Sequence, residues 1–218
     1  LTYHYGDQER GVEDLSFSLP RGSFTVVTGE VGSGKTTLVK ALLGLIPPDS
    51  GEVRWNGEKV TVLDEHFQPP RSAYTPQVPM LFSESLKDNI LMGLEASEDS
   101  VQGAISHAVM EPDLEEMPDG LETIVGTRGV RLSGGQVQRT AAARMFVRGS
   151  ELLVFDDISS RLDVETEQQL WERLLDAPGE RPTCLVVSHR RPALVRADQI
   201  IVMEHGSIVA RGTLEELL

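Results

Sequence analysis

The 218-residue chain is predicted to be an α/β protein: a mainly parallel core sheet with an antiparallel β subdomain and an inserted α-helical subdomain. Three observations predict it. Apolar runs of strand length at residues 23–28, 152–156 and 183–188 each feed a loop, two of them leading into a helical pattern, the strand–loop–helix signature of a parallel sheet. Leu152-Leu153-Val154-Phe155 is apolar without alternation, as a strand buried on both faces must be. Composition then shifts at Gln77, beyond which the chain is acidic and helix-like until about Val147.

The elements follow in order. Residues 1–5 have strand composition, and that abrupt start reads as an excised piece of a longer polypeptide. Residues 12–19 alternate imperfectly and end at Pro20-Arg21-Gly22, and 23–28 form a β-rich run feeding a glycine-rich loop. Residues 36–45 carry Leu38, Ala41, Leu42 and Leu45 at helical spacing. Pro47-Pro48-Asp49-Ser50-Gly51 breaks that helix. Residues 52–56 with Gly57 suggest a strand and turn, and 71–75 a short strand after Pro69-Pro70. In the middle, 86–91, 101–110 and 137–147 read as helices. A helix over 164–175, a strand over 183–188 and a hairpin of 200–203 with 207–210 around Gly206 complete the chain. The expected organisation is a single domain, with 1–77 and 148–218 as core and 78–147 as helical subdomain.

Composition narrows the function classes. A net charge of −14 argues against nucleic acid as a partner. No apolar run approaches the roughly 18 residues that cross a bilayer, and no basic, apolar leader opens the sequence. The single cysteine, Cys184, lies in a strand-like run and reads as structural. Between Asp88 and Thr127 there are ten acids and no Lys or Arg. That segment reads either as a solvated acidic face or as a docking surface for a basic partner.

The chemistry begins at Gly29-Glu30-Val31-Gly32-Ser33-Gly34-Lys35-Thr36, a full G-x4-G-K-[ST] match between a predicted strand and a predicted helix. Glycines let backbone N–H groups curl around phosphate oxygens, and the helix start adds a favourable dipole. Lys35 can reach the β- and γ-phosphates and the Thr36 hydroxyl can ligate Mg²⁺, so the fold class sharpens to a P-loop NTPase core. Asp156 and Asp157 leave the buried strand together; Asp157 reads as a catalytic acid or as a helix N-cap. Leu132-Ser133-Gly134-Gly135-Gln136 precedes a predicted helix and forms a second candidate anion site.

Read in order, these motifs resemble the ATPase subunit of ATP-binding cassette (ABC) proteins. Tyr74-Thr75-Pro76-Gln77 resembles the Q-loop, Ser188-His189 the switch histidine and Ser160-Arg161-Leu162-Asp163 the D-loop. Gly126-Thr127-Arg128-Gly129 resembles the exporter X-loop, with Thr127 where Glu is usual, and Pro79 to Ile90 looks exporter-like. The resemblance covers essentially the whole chain and implies the roles. ATP and Mg²⁺ are the expected cofactors. Gly29, Gly32, Ser33, Gly34, Lys35, Thr36 and Thr37 hold phosphate; Thr36, Gln77 and Asp156 serve the metal; Gln77, Asp157 and His189 serve catalysis. Tyr5 stacks on adenine, with Tyr3 the competitor because alternation gives both one face. Ser133, Gly134, Gly135 and Asp163 act on the ATP of a second such domain, bound head-to-tail.

Two departures stand out. Asp157 replaces the usual Glu, and its carboxylate falls short by about 1.5 Å. Arg161 replaces Ala in a loop near the dimer axis, where two copies would repel. The implied function is ATP hydrolysis driving transport by a membrane domain, which docks on the helical subdomain through basic loops at the cytoplasmic face. The rival readings are a mainly ATP-binding half of a heterodimer and a soluble, non-transport ABC ATPase.

Overall fold

The computed structural model describes residues 1–6, 11–126, 129–177 and 179–218. Its elements are β1 (Tyr3–His4), β2 (Gly11–Val12), β3 (Phe24–Thr28), α1 (Lys35–Leu42), β4 (Val53–Trp55), β5 (Glu58–Val60), α2 (Leu63–His66) and β6 (Ser72–Thr75). They continue with α3 (Leu86–Leu91), α4 (Glu98–His107), α5 (Glu111–Glu116), α6 (Gly134–Phe146), β7 (Leu152–Asp156), α7 (Val164–Leu175) and β8 (Thr183–Val187). The chain closes with α8 (Arg191–Arg196), β9 (Gln199–Glu204), β10 (Ser207–Gly212) and α9 (Leu214–Leu217).

Six strands form the central sheet in the order β10-β9-β3-β8-β7-β6. All neighbours run parallel except β9 and β10, which form the antiparallel edge hairpin. Alternation divides the side chains of each strand between two faces. Phe24, Val26, Leu153, Phe155, Cys184 and Val186 meet Ile105, Ala142, Leu170 and Trp171 of the helices on one side. Val27, Leu152, Val154, Leu185 and Val187 meet Leu38 and Val39 of α1 on the other. Both faces are dry, so every residue of β7 is buried. That burial is the physical reason its sequence does not alternate.

The helical insert shares this core. Ile90, Ile105 and Met110 join the cluster of Phe155 and Trp171. α3 and α4 pack on α6, whose inner residues include Ala141, Ala142 and Ala143, small enough for close approach. α3 and α4 start at Ser85 and Ser97, whose side chains accept from the N–H groups of Asp88 and Ser100.

Several expectations need correction. Residues 12–19 are not a strand: only Gly11–Val12 pairs. Asp14 has φ 47°, a left-handed conformation that breaks the pleat, and Leu15 turns inward to burial. The strand at 52–56 is half of a hairpin whose second half, β5, has no apolar alternation to announce it. Asn56 and Gly57, with φ of 52° and 85°, close it in the manner of a type I′ turn. The acidic segment is not uniformly a solvated face. Asp113 is buried and accepts both Nε and Nη2 of Arg139 at 2.6 Å. Glu111 pairs with Arg173 at 2.7 Å. The other acids of that segment are exposed.

Candidate functional site

Parallel strands send the loops that follow them to one edge of the sheet. The loop 29–34 leaves β3, Gln77 follows β6, Asp157 follows β7 and Ser188-His189 follow β8, so residues remote in sequence share one crevice. At Gly29, φ is 139° and a Cβ would collide with the carbonyl oxygen of Met203. At Gly34, φ is 99° and a Cβ would come 2.8 Å from Val12 Cγ1. Only glycine closes the loop this tightly. α4, α6 and α7 each begin with a side-chain cap, whereas α1, which opens at this loop, has none. The first-turn N–H groups of a helix have no intrahelical partner, and an anion is favoured at such an uncapped start.

Lys35 Nζ donates to Gly29 O at 2.8 Å, Glu30 O at 2.7 Å and Ser33 Oγ at 3.2 Å, which holds the ammonium across the mouth of the loop. Burial lowers its pKa, opposed by the charges of Asp157 and Asp156. Thr36 Oγ1 donates to Asp156 Oδ1 at 3.0 Å. Adjacent oxygens around Mg²⁺, at about 2.0–2.1 Å from the ion, stand about 2.9 Å apart, so this pair has the spacing of a shared coordination edge. Among the described residues no cluster of three or more His, Cys, Asp or Glu forms a metal cage. The donors present suit an ion held mainly by phosphate and water.

The Asp156 carboxyl is pushed above the usual range, chiefly by burial and further by Asp157, against hydrogen bonds from Thr36 and Tyr74. Tyr74, absent from the expected site, donates its hydroxyl to Asp156 Oδ2 at 3.3 Å. Burial and then Asp156 raise the pKa of that phenol. Asp157 takes the left-handed conformation, φ 53° and ψ 43°, and starts a 3₁₀ turn at Ile158–Arg161. Its N–H donates to Val187 O at 3.0 Å. Gln77 Nε2 donates to its Oδ2 at 3.0 Å, and its Oδ1 is buried without a partner. Gln138 is fully buried on α6 and donates from Nε2 to Gln77 O at 2.9 Å, tying that helix to the same corner. A lone Gln inside a helix gives no sequence signal for this contact.

His189 is exposed beside this corner. Tyr5 is exposed, its hydroxyl 3.3 Å from Thr37 Oγ1, whereas Tyr3 packs on the α1 side of the core and meets Tyr5 edge-on at 4.9 Å. The tyrosine beside the phosphate loop is therefore Tyr5. Ser133, Gly134, Gly135 and Asp163 gather elsewhere. Ser133 N-caps α6 in a capping box with Gln136, and Asp163 N-caps α7 through Thr166. Arg161 links the two turns: its Cδ lies 2.8 Å from where a Gly134 Cβ would stand and its carbonyl 3.2 Å from that of Gly135. No hydrogen bond among the described residues joins this group to residues 29–36. Thr127 and Arg128 lie outside the described residues.

Fold and site together define a P-loop nucleotide-binding domain with a helical insert. The family model described as "ABC transporter" matches residues 12–160. The chain belongs to that family and is a nucleotide-binding domain of its exporter-like branch. It is 39% identical over 95% of its length to a probable multidrug resistance ABC transporter ATP-binding/permease protein of Bacillus subtilis, covering 35% of that protein. It is 37% identical over its whole length to an ATP-dependent lipid A-core flippase of Burkholderia orbicola, covering 37% of it. Among solved structures, a bacterial Atm1-family ABC exporter with ATP bound superposes with TM-score 0.89 at 30% identity, covering all of this chain and 38% of that one. The chain thus spans about a third of the length of these relatives. No helix of the described residues is long and apolar enough to cross a membrane.

Proposed function

We propose that this chain binds Mg-ATP at the edge carrying residues 29–36, pairs head-to-tail with a second such domain and hydrolyses ATP to drive a transmembrane partner. The observation that carries the reading is the Thr36–Asp156 contact at 3.0 Å, at the mouth of a helix whose first turn no side chain caps. Lys35 and the backbone of 32–37 hold the phosphates, and Tyr5 offers its exposed ring to the base. The metal, when bound, neutralises phosphate charge. Asp157 accepts a proton from the attacking water, Gln77 orients that carboxylate and His189 faces the γ-phosphate. Ser133, Gly134, Gly135 and Asp163 complete the other subunit's site, a role supported by their separation from this chain's own loop. In the test, specific ATPase activity rises with protein concentration and Asp156→Asn abolishes it. Activity independent of concentration would argue against the dimer.

A second reading, a mainly ATP-binding half of a heterodimer, is favoured by the short Asp157 already engaged by Gln77. Turnover of wild type, Asp157→Glu and Asp157→Asn separates them: Asp157→Glu exceeds wild type if Asp157 acts as a base, and all three are equally slow if it does not. The unit 78–147 presents exposed Glu115, Glu116 and Asp119 to basic loops of the membrane domain on the cytoplasmic face. Reversing these three acids to Lys weakens that association, and unchanged association refutes the docking.

A further inference from the structure

The loop bearing His189 is fastened on both sides by neighbours of that residue. Ser188 is buried and its N–H donates to Val27 O at 3.1 Å, fixing the loop to β3. On the other side stands Arg190. Its Nη1 lies 2.6 Å from Ser159 O and 2.8 Å from Leu162 O, both acceptors in the turn that carries Ser160 and Arg161. The same nitrogen is 2.9 Å from Glu167 Oε2. The Glu167 side chain has no exposed surface, and its Oε1 accepts from Trp171 Nε1 at 3.3 Å. An isolated buried carboxylate is strongly disfavoured without a charged partner, so Glu167 fixes where the guanidinium sits. His189 projects between the two fastenings and, among the described residues, makes no hydrogen bond or ion pair of its own.

We infer that Arg190 is a positioning residue that couples His189 to the turn 158–163, with Glu167 as its anchor. The inference rests on the reading that His189 faces the γ-phosphate. Because Ser160 to Asp163 would serve the opposite subunit's ATP, a shift of that turn on pairing is carried through Arg190 to this chain's own His189. The two ATP sites then communicate through a bond network inside each chain. Lys at position 190 would keep the charge, but the three acceptors converge on Nη1, and an ammonium one bond shorter would reach them only in part.

Two readouts test this. In protein labelled at its five histidines, the His189 ring resonance, identified by its loss in His189→Asn, should shift or broaden in Arg190→Gln. The other four should stay in place. Arg190→Lys should give a smaller change of the same kind. If Arg190→Gln does not fold, the pair Arg190→Met with Glu167→Leu removes both charges together and should loosen His189 equally. In steady-state turnover the same variants should lower kcat by about tenfold to 10²-fold, with KM for ATP changed less than about twofold. An unmoved His189 resonance in a folded variant overturns the coupling, as does a change in KM alone. Wild type without ATP turnover, but with His189 still responding to Arg190→Gln, would sink the ATPase reading and leave the coupling standing.

Discussion

Asp156 meets opposing demands at the scale of the single residue. In the proposed role its charge is needed opposite Mg²⁺, yet burial and Asp157 raise its pKa in the folded protein. A carboxyl with a raised folded pKa contributes stability below its ordinary pKa of about 4 and loses it as pH rises through the folded value. Asp156→Asn is therefore expected to raise the melting temperature of the nucleotide-free protein at neutral pH and to flatten that pH dependence. The same change abolishes Mg-dependent turnover. An unchanged or lower melting temperature would contradict the burial argument. Tyr74→Phe removes a hydrogen bond that lowers the Asp156 pKa, so the acid limb of the pH–turnover profile should move upward. Lys35 and Thr36 are legible from sequence because they close a contiguous G-x4-G-K-[ST] motif, even though Thr36 reaches Asp156, 120 positions on. Tyr74 is not: it reaches Asp156 across two paired strands, 82 positions away, and a tyrosine at a strand end looks like any other.

At the scale of elements, α6 is set by two devices. The Ser133 capping box satisfies its first turn, and Ser133→Ala should cost about 1 kcal/mol, read as a lower denaturation midpoint with an unchanged slope. Arg139 reaches from α6 to Asp113 of α5, both nearly buried. Asp113→Ala strands the guanidinium, and breaking such a pair costs about 3–5 kcal/mol. Replacing Arg139 and Asp113 together by apolar residues should recover most of that loss, and a double variant as unstable as the single one would disprove the pairing argument. The unbroken apolar run Leu152–Asp156 and the amphipathic helix Val164–Leu175 are legible to the residue. α2, α5, α8 and α9, of four to six residues each, are not. Of the short helices α3 alone buries apolar residues a turn apart, Leu86 and Ile90; the others bury no such pair, and α5 and α8 also carry a proline at their starts.

For the whole molecule, the parallel sheet explains why the motifs meet. Each loop after β3, β6, β7 and β8 emerges at the same edge, so motif order in sequence was enough to foresee one crevice. It was not enough to foresee what joins the loops to each other. Gln138, Arg190 and Glu167 are ordinary helix and loop residues until the chain folds them together.

The two tryptophans divide the molecule optically. Trp171 has no exposed surface, lies edge-on to Phe24 and Phe155 at 5.1 and 5.3 Å, and donates to Glu167. Trp55 is half-buried in the hairpin, 5.5 Å from the ring of His66. Intrinsic fluorescence therefore has a dry emitter wired to the carboxylate beneath Arg190 and a wetter one next to an imidazole. A Trp55→Phe variant leaves Trp171 as the sole tryptophan, a label-free reporter of motion at the turn that would face a partner.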